Sequence, residues 1–418
     1  MYKEIKACRI CGNTNLINVV DLGEQVLTGV FPKNTEQSIT SGPLTLVKCQ
    51  EEEAGATCGL LQLGHTYDFD EMYGENYGYR SGLNKSMIKH LHEKVARITN
   101  TVSISNDDLI IDIGSNDSTL LQAYPQESHL VGIDPTGTKF KQYYPDHIQL
   151  IPDFFSAERV KQKLGDKKAK VITSMSMFYD LEAPMEFMKQ VYEVLADDGI
   201  WVFEQSYMPT MLEKNSYDTI CHEHLEYYRL YQIKWMADRV GFKIVDVEFN
   251  DINGGSFSVT VSKKINLTTN VNENLVNTIL SKEEQLGLSG LKPYREFSQR
   301  ISEHREKLLD FLRQAKKENK RVMGYGASTK GNVILQYCGL SKDEIPFIAE
   351  VNEDKYNCYT PGTLIPIIPE QNAKEMMPDY FIVLPWHFKH NIVEKEQSYL
   401  KSGGKLVIPL PQIEVVNK

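Results

Sequence analysis

Two separate series of short apolar strands, each alternating with helices, constrain the fold of this chain more than any other feature. In the first series, LIIDIG, HLVGID, KVITSM and GIWVFEQ have the length and composition of buried strands, and helical patterns such as SAERVKQKL separate them. Strands that alternate with helices at this spacing predict βαβ units and a parallel sheet. The first series therefore predicts an α/β domain.

This first sheet is predicted to gain antiparallel strands from IVDVEFND and GGSFSVTVSK. Residues 272–320 are polar and charged with helical periodicity, which predicts one or two helices between domains. A second α/β series follows, and its four predicted strands are RVMGYGAST, FIAEVNED, DYFIVLP and KLVIPLP.

The length of 418 residues suggests two to four domains at roughly 150 residues each. The fold class we predict is α/β, with a small β-rich N-terminal module that has too little core to fold alone. The predicted boundaries are 1–72 for this module, 73–270 for the first α/β domain, 271–320 for a helical linker and 321–418 for the second α/β domain.

Composition limits the partners. Apolar residues make up 41% and charged residues 24%, which is ordinary for a globular protein. The 46 basic and 56 acidic residues leave a net charge of −10, a field that repels phosphate backbones and argues against nucleic acid as a partner. Since the sequence contains neither a membrane-spanning apolar run nor a signal-peptide layout, we expect a cytoplasmic protein without membrane contact.

Four of the seven cysteines lie in the first 60 residues, as Cys8-x2-Cys11 and Cys49-x8-Cys58. A two-residue gap lets one tight turn direct both sulfurs at one ion, as tetrahedral zinc requires. A closed four-thiolate site leaves no open coordination position, so the predicted zinc is structural. His65 would substitute if one cysteine were not a ligand; the alternative is that Cys49 or Cys58 is an ordinary buried thiol.

The turn after the first strand is a candidate cofactor site. Asp112 ends the strand, Gly114, Ser115 and Asn116 form the turn, and a helix start there offers unpaired N–H groups. The glycine spacing is poor for a dinucleotide pyrophosphate. S-adenosylmethionine, which places no phosphate at such a turn, fits better; the alternative is a βα turn without a ligand.

Later residues complete this candidate site. Asp134 closes the second strand and could accept hydrogen bonds from ribose hydroxyls. Asp153 and Phe154, further along the chain, could contact the edge and face of adenine. Ser174 and Arg80 are further candidates for cofactor binding.

The run NSYDTICHEHLEYYRL is a candidate acid–base cluster. His222 and His224 are two residues apart, so on a helix they diverge and cannot share a metal, whereas on a strand or loop they face alike. A histidine beside a carboxylate such as Glu223 is a plausible general base. The alternative is a solvated polar turn.

The string ENYGYRSG forms a second polar and aromatic cluster, with Tyr77 and Tyr79. These residues either close over a ligand or pack a domain junction.

The glycine turn of the second series is a candidate anion site, because it combines small residues, one lysine and a helix start. Glu350 and Asn352 follow the next strand and could bind ribose or base. The alternative is a capping domain with a tight turn. The residues predicted to bind substrate at this turn are Gly326, Ser328, Lys330, Gly331 and Asn332.

Several strings together resemble one known family. In order they are CRICG, NYGYRSG, LIIDIGSND, YDTICHEHLEYY, INGGSFSV and GYGASTKGN. With them the chain resembles, over almost its whole length, the zinc-containing, S-adenosylmethionine-dependent nucleotide-sugar C-methyltransferases of deoxysugar pathways.

The resemblance implies a zinc module, a central Rossmann-like class I methyltransferase domain, and a C-terminal Rossmann-like domain that helps to bind the nucleotide diphosphate of the sugar. It implies methylation of carbon 3 of a 4-keto nucleotide sugar through an enolate. His224 would be the base, steered by Glu223. Tyr77, Tyr79 or His222 would bind the enolate oxygen, and Tyr227 would contact substrate.

The chain departs from the family pattern at two places. Cys221 stands where many relatives have tyrosine, which leaves open the group that handles the substrate oxygen there. Asp117-Ser118 replaces the usual Asp-Gly.

Two other functions compete with methyl transfer. One is an NAD-dependent nucleotide-sugar oxidoreductase or epimerase, disfavoured because neither glycine turn has the three-glycine fingerprint. The other is a non-catalytic sugar-nucleotide binder. We expect a monomer or a weak oligomer.

Overall fold

The computed structural model describes residues 2–50, 55–68, 71–72 and 79–417. These residues form three larger β-sheets with helices packed around them, and a short strand pair at the N-terminal end. The predicted α/β class, with Rossmann-like parallel sheets behind a cysteine-rich module, is confirmed.

The central sheet contains the first predicted series. The strand Ser256–Lys263 is antiparallel to both of its neighbours, and the other six strands run in one direction. In sheet order the strands are Phe242–Asn250, Ser256–Lys263, Leu195–Ser206, Ala169–Met175, Leu109–Ile113, His129–Ile133 and Ile148–Ile151.

The strand order reverses beside Leu109–Ile113. From this strand the chain adds two strands on one side, and then returns to place Ala169–Met175 on the other side. Parallel sheets bind ligands outside the carboxyl ends of their strands at such a reversal, because the connecting loops diverge there and leave a crevice. This position is where the candidate site lies.

Helices cover both faces of the central sheet. The longest, Lys85–Thr101, begins where the Asn84 side chain accepts from the Ser86 N–H, and its buried residues recur at helical spacing. The α-helices of this part of the chain are Lys85–Thr101, Gly137–Phe140, Ala157–Leu164, Pro184–Val194, Met208–Glu213 and Leu230–Val240.

The N-terminal sheet is completed by the middle of the chain. Its strands Leu16–Val26, Ser41–Cys49 and Leu61–Leu63 pair in sequence order, and Leu61–Leu63 pairs in turn with Glu226–Tyr227, which lies within the predicted acid–base run. A small pair, Tyr2–Glu4 with His65–Tyr67, lies beside it. The N-terminal sheet thus includes a strand, Glu226–Tyr227, from the middle of the chain. This is consistent with an N-terminal module that has too little core to fold alone.

The segment between the α/β domains forms two helices, Glu273–Gln285 and Lys292–Lys317. The first packs on the central domain, where the buried Glu283 carboxylate accepts from the backbone N–H groups of Leu230 and Tyr231 at 2.7 and 3.1 Å. The second buries an apolar stripe against the N-terminal sheet and the C-terminal domain. These helices therefore act as packing elements of the core.

The C-terminal sheet contains the four strands predicted from the second series and two further strands of three residues each. The further strands were missed because so short a run carries little periodicity. In sheet order the strands are Ile367–Pro369, Ile348–Glu350, Val322–Tyr325, Tyr380–Val383, Lys405–Ile408 and Glu414–Val416, the last antiparallel.

The α-helices of the C-terminal part are Thr329–Tyr337, Glu370–Glu375, Lys389–Lys395 and Gln397–Lys401. The 3-10 helices are Ser81–Leu83, Leu121–Ala123, Lys141–Tyr143, Phe178–Asp180, Tyr217–Thr219, Ile252–Gly254, Glu353–Lys355 and Trp386–Phe388. Among the described residues, none of the helices combines the length and the apolar character that crossing a bilayer requires.

Candidate active site

A cavity of about 360 Å³ lies at the carboxyl ends of the central strands. Its walls come from three segments that are distant in sequence. They are the turn at Gly114, the loop with Glu223 and His224, and the start of the helix Thr329–Tyr337 at Lys330. The structure thus brings the predicted cofactor turn, the predicted acid–base residues and part of the predicted anion turn to one space.

The turn after Leu109–Ile113 forms the cofactor end of the cavity. Gly114 has a φ of +75°, and a Cβ on it would lie 3.1 Å from the Met177 side chain, so the position requires glycine. Asn116 also adopts a left-handed φ of 49°, and its backbone N–H donates to Asp134 Oδ2 at 2.8 Å.

Asp134 lines the cavity with one acceptor position left over. Its Oδ1 accepts from the N–H and hydroxyl of Thr136 at 2.7 and 2.6 Å, while Oδ2 accepts only from Asn116 among the described groups. A carboxylate oxygen can accept two hydrogen bonds, so Oδ2 can still accept one from a ribose hydroxyl. Phe154, 46% exposed, also lines the cavity, where its ring can stack on a base.

The loop before the first long helix is held against this turn. Asn116 donates from Nδ2 to the Tyr79 carbonyl at 3.1 Å and accepts at Oδ1 from the Ser81 N–H at 3.0 Å. Tyr79 and Ser81 line the cavity, whereas the Arg80 guanidinium stacks on the Tyr143 ring at 4.1 Å. Tyr77 lies outside the described residues.

Other predicted cofactor residues support the turn from behind or lie on the surface. Asp112 is buried and accepts from the Thr173 hydroxyl at 2.6 Å, and burial raises the pKa of its carboxyl to about 7. The Ser115 hydroxyl bonds to that of Tyr144 at 2.8 Å, and Ser174 accepts from the indole of Trp201 at 3.1 Å. Asp153 forms an exposed ion pair with Arg159 at 2.7 Å.

These observations fit S-adenosylmethionine. The ligand needs a close backbone approach, which Gly114 allows, an acceptor for the ribose, which Asp134 offers, and an aromatic face for adenine, which Phe154 offers.

Replacing Asp134 by alanine is expected to weaken S-adenosylmethionine binding ~10- to 100-fold, because a hydrogen bond to a charged group is lost. Isothermal titration calorimetry measures this effect. Asp153→Ala is the comparison variant, since that carboxylate pairs with Arg159 at the surface. Equal affinities for the two variants would contradict this role for Asp134.

His224 also lines the cavity. Its Nδ1 is 2.8 Å from the Thr219 carbonyl oxygen, and its ring contacts the Tyr179 ring edge-on at 4.5 Å between centroids. Because a carbonyl only accepts, the hydrogen belongs on Nδ1, and Nε2 keeps its lone pair. Burial, with help from the positive charge of Lys330, lowers the pKa of His224 to about 3, so the imidazole is neutral and able to take a proton.

His222 points away from the cavity. Its Nε2 is 3.2 Å from the Gln25 carbonyl, its ring packs edge-on against Tyr67, and burial lowers its pKa to about 3. The two histidines do not face alike, because the chain turns at His222 and Glu223 instead of extending.

Glu223 lines the cavity but does not orient His224, since the Thr219 carbonyl does so. Its carboxylate lies so close to Gly29 of the N-terminal module that a Cβ there would overlap Oε1. Burial raises the pKa of the Glu223 carboxyl. The N-terminal module therefore forms the support behind this residue.

Lys330 also reaches this cavity. It follows the first residue of helix Thr329–Tyr337, and its ammonium donates to the Asn253 carbonyl at 2.7 Å. Burial lowers its pKa.

The rest of the predicted anion turn is occupied by its own contacts. The Ser328 hydroxyl accepts from the Gly331 N–H at 3.0 Å, and Asn332 donates to the Thr28 carbonyl at 2.8 Å. Glu350 accepts from the N–H groups of Ala327, Val351 and Asn352 at 2.7, 2.7 and 2.8 Å.

Two further predicted substrate residues stand apart from the cavity wall. Gly326, with a φ of +82°, packs against Pro385. Tyr227 is buried, with its hydroxyl 3.4 Å from the Thr219 carbonyl.

The structure adds cavity residues that the sequence did not indicate. Ser176 and Asn253 have left-handed φ values of 55° and 56°, and Tyr179 packs on His224. The Asn-Gly-Gly string was the available signal for Asn253, since asparagine before glycine favours that conformation. Ser176 and Tyr179 carried no comparable signal.

The four predicted cysteine ligands form one cluster. Their sulfurs all lie within 4.8 Å of one another, with Cys8 3.4 Å from Cys58 and Cys11 3.6 Å from Cys49. Tetrahedral zinc with bonds of ~2.3 Å places its sulfurs about 3.8 Å apart, so the donor set and its spacing fit the ion. Within the part of the chain that the structure describes, the cluster consists of these four thiols and does not include His65.

Comparisons with known proteins cover the chain in three parts. Residues 8–73 match a family described as "Putative zinc binding domain", residues 87–247 match "Methyltransferase domain", and residues 251–411 match "C-methyltransferase C-terminal domain". The chain is 29% identical over 422 aligned positions to the C-methyltransferase NovU of Streptomyces niveus, covering 100% of this chain and 98% of NovU.

Two solved structures are similar to parts of this chain. A Haloferax volcanii methyltransferase complex with the activator Trm112 matches at 12% identity and a TM-score of 0.37, covering 47% of this chain and 97% of that one. An S-adenosylmethionine-dependent methyltransferase of Archaeoglobus fulgidus matches at 13% identity and a TM-score of 0.34, covering 42% of this chain and 94% of that one.

Proposed function

The chain is an S-adenosylmethionine-dependent C-methyltransferase with a structural zinc module, and we propose that it methylates carbon 3 of a 4-keto nucleotide-linked deoxysugar through an enolate. The resemblance of its sequence strings to the nucleotide-sugar C-methyltransferases supports this acceptor. The carrying observation is that one cavity is lined by both the cofactor turn at Gly114 and the imidazole of His224.

The acceptor carbon requires a base, because a sugar C–H bond is not nucleophilic. In the proposed step, His224 Nε2 takes the proton from carbon 3. The C–H electron pair forms the double bond between carbons 3 and 4, and the carbonyl pair moves to the oxygen. Since the Thr219 carbonyl holds the opposite nitrogen at 2.8 Å, the ring presents its lone pair in one fixed direction.

With its lowered pKa the imidazole of His224 is unprotonated at neutral pH, as a base must be, but burial also makes it a weaker base in the resting site. Its basicity rises when the enolate forms, since an adjacent negative charge favours the imidazolium. Of the two tyrosines predicted to bind the enolate oxygen, Tyr79 lies within the described residues. It lines the cavity and is a candidate hydrogen-bond donor to the acceptor.

Gly114, Asp134 and Phe154 would hold S-adenosylmethionine at the other end of the cavity. When bound, the cofactor supplies a methyl group whose bond to sulfur breaks, with the electron pair remaining on sulfur, as the new carbon–carbon bond forms. Positioning both reactants in one enclosed space contributes to the rate by removing the entropy cost of their encounter.

Deuterium exchange and methyl transfer test the proposed acceptor. The protein is incubated in D₂O with a panel of 4-keto dTDP- and GDP-deoxysugars, with and without S-adenosylmethionine. We expect deuterium at carbon 3 of the accepted sugar and, with the cofactor, a product heavier by one methylene group at the same carbon. Methylation of a different class of acceptor, with no exchange on any of these sugars, would contradict the proposal.

A further inference from the structure

Lys330 is a half-buried cation at the reaction cavity to which the mechanism above gives no role. It belongs to the C-terminal domain, yet its ammonium donates to the Asn253 carbonyl of the central domain at 2.7 Å. It lines the same cavity as His224 and Gly114.

Among the described residues, several lysines and arginines form ion pairs with a carboxylate, but Lys330 forms none. The nearby Asp218 is hydrogen-bonded to the Trp386 indole at 2.7 Å, and burial raises its pKa toward the neutral form. A buried ammonium without a paired carboxylate is costly, and a ligand that carries negative charge removes that cost.

Several donors of the glycine turn around Lys330 are held in contacts of their own. The Ser328 hydroxyl caps its own helix, Asn332 bonds to Thr28, and the Glu350 carboxylate accepts from the Ala327 N–H of the turn. A diphosphate would therefore find one cation and few free donors here. A single ammonium on the cavity wall can instead stabilise one ligand oxygen that becomes negatively charged during the reaction.

We propose that Lys330 donates a hydrogen bond to the carbonyl oxygen next to the reacting carbon and stabilises the enolate that His224 creates. This inference rests on the proposed function, because it needs a keto acceptor. It replaces the expected phosphate contact of Lys330 with a catalytic one. The ammonium keeps its protons throughout, so the electron shift described above stays balanced with the proton on His224.

Several other titratable groups surround Lys330 and His224. The positive charge of Lys330 helps to lower the pKa of both His224 and His387, so the three groups share one electrostatic environment. The remaining titratable groups that act on Lys330 or His224, or line the cavity beside them, are Asp180, Asp218, Cys221, Glu223 and Tyr179.

The test compares Lys330→Met, Lys330→Gln and Lys330→Arg in the full-length protein loaded with zinc. We expect Lys330→Met to lower both kcat and deuterium exchange at carbon 3 by ~10²- to 10³-fold, as loss of an oxyanion donor does. KM for the nucleotide sugar should change no more than a few-fold. Lys330→Gln, which keeps a neutral donor, and Lys330→Arg, which keeps the charge, should retain more exchange than Lys330→Met.

The matched control is Lys355→Met. Lys355 is another half-buried lysine of the C-terminal domain, and it donates to one backbone carbonyl, that of Ala327, at 2.7 Å, away from the cavity. Its kcat should equal that of the wild type. Calorimetric binding of S-adenosylmethionine confirms that each variant is folded.

Two results would overturn the inference. A raised KM with unchanged kcat and exchange would make Lys330 a binding contact for the nucleotide, and unchanged KM, kcat and exchange would leave it without a role in the reaction. Failure of the proposed function gives a different result, since the wild type itself would then exchange none of the 4-keto sugars.

Discussion

Replacing His224 by asparagine is expected to lower methyl transfer by ~10²- to 10⁴-fold, the range for a lost general base. The asparagine amide can still donate to the Thr219 carbonyl that holds the native ring, so the loop should keep its conformation. What the variant lacks is the lone pair of Nε2. Deuterium exchange at carbon 3 should fall with the methylation rate, because both need the same proton removal.

The affinity for S-adenosylmethionine separates a chemical defect from a structural one. Since Gly114 and Asp134 line the other end of the cavity, calorimetry should give the same dissociation constant for His224→Asn and the wild type.

His222→Asn is the matched comparison, because His222 belongs to the same loop but is buried against Gln25 and Tyr67 outside the cavity. The His222→Asn variant should have a lower melting temperature, while its rate of methyl transfer should stay close to that of the wild type. If His222→Asn loses exchange while His224→Asn retains it, the assignment of the base to His224 is wrong.

Loss of the zinc ion is expected to unfold the N-terminal module and abolish activity. Structural zinc contributes ~10 kcal/mol or more of binding free energy in small zinc domains, where that energy is available to the folded state alone. This module has few other sources of stability, since it needs a strand from residues 226–227 to complete its sheet. Cys58→Ser, which removes one ligand, should have the same effect as a strong chelator.

The damage should extend to the active site. Gln232 donates to the Cys58 carbonyl at 2.7 Å, and the strand Glu226–Tyr227 that completes the sheet follows His224 after a single residue. Gly29 of the same module lies against Glu223. Unfolding the module therefore removes the strand pairing that holds the end of the acid–base loop. It also removes the contact of Gly29 with Glu223.

Metal analysis, thiol titration and circular dichroism measure this effect. We expect one zinc per chain, four thiols that react only after chelation, and a lower melting temperature for Cys58→Ser. Cys358→Ser is the control, because Cys358 is buried outside the cluster. Four thiols that react freely in active protein would contradict a zinc site.

Features that depend on neighbouring residues in sequence could be predicted. Short buried runs identified six of the seven strands of the central sheet, all but Ile148–Ile151, and the Cys-x2-Cys spacing identified the first half of the zinc cluster. The glycine turn after Leu109–Ile113 was recognisable because a left-handed φ at Gly114 is a local requirement. Each of these signals arises within a few residues of the chain.

Features that depend on tertiary contacts between side chains could not be predicted from the sequence. His222 and His224 are equivalent by sequence, and a turn between them directs one ring toward Gln25 and the other into the cavity. Lys330 had the pattern of a phosphate ligand, whereas its ammonium lies at the wall shared with His224.

By itself the sequence determined the two α/β series, the Cys-x2-Cys pair and the glycine turn at Gly114, because backbone preference and hydrophobic spacing are properties of short segments. Only the tertiary structure decided that residues near 114, 224 and 330 share one cavity. It did so because sheet pairing and core packing join segments that are more than a hundred residues apart, and only this packing buries the side chains and shifts their pKa values.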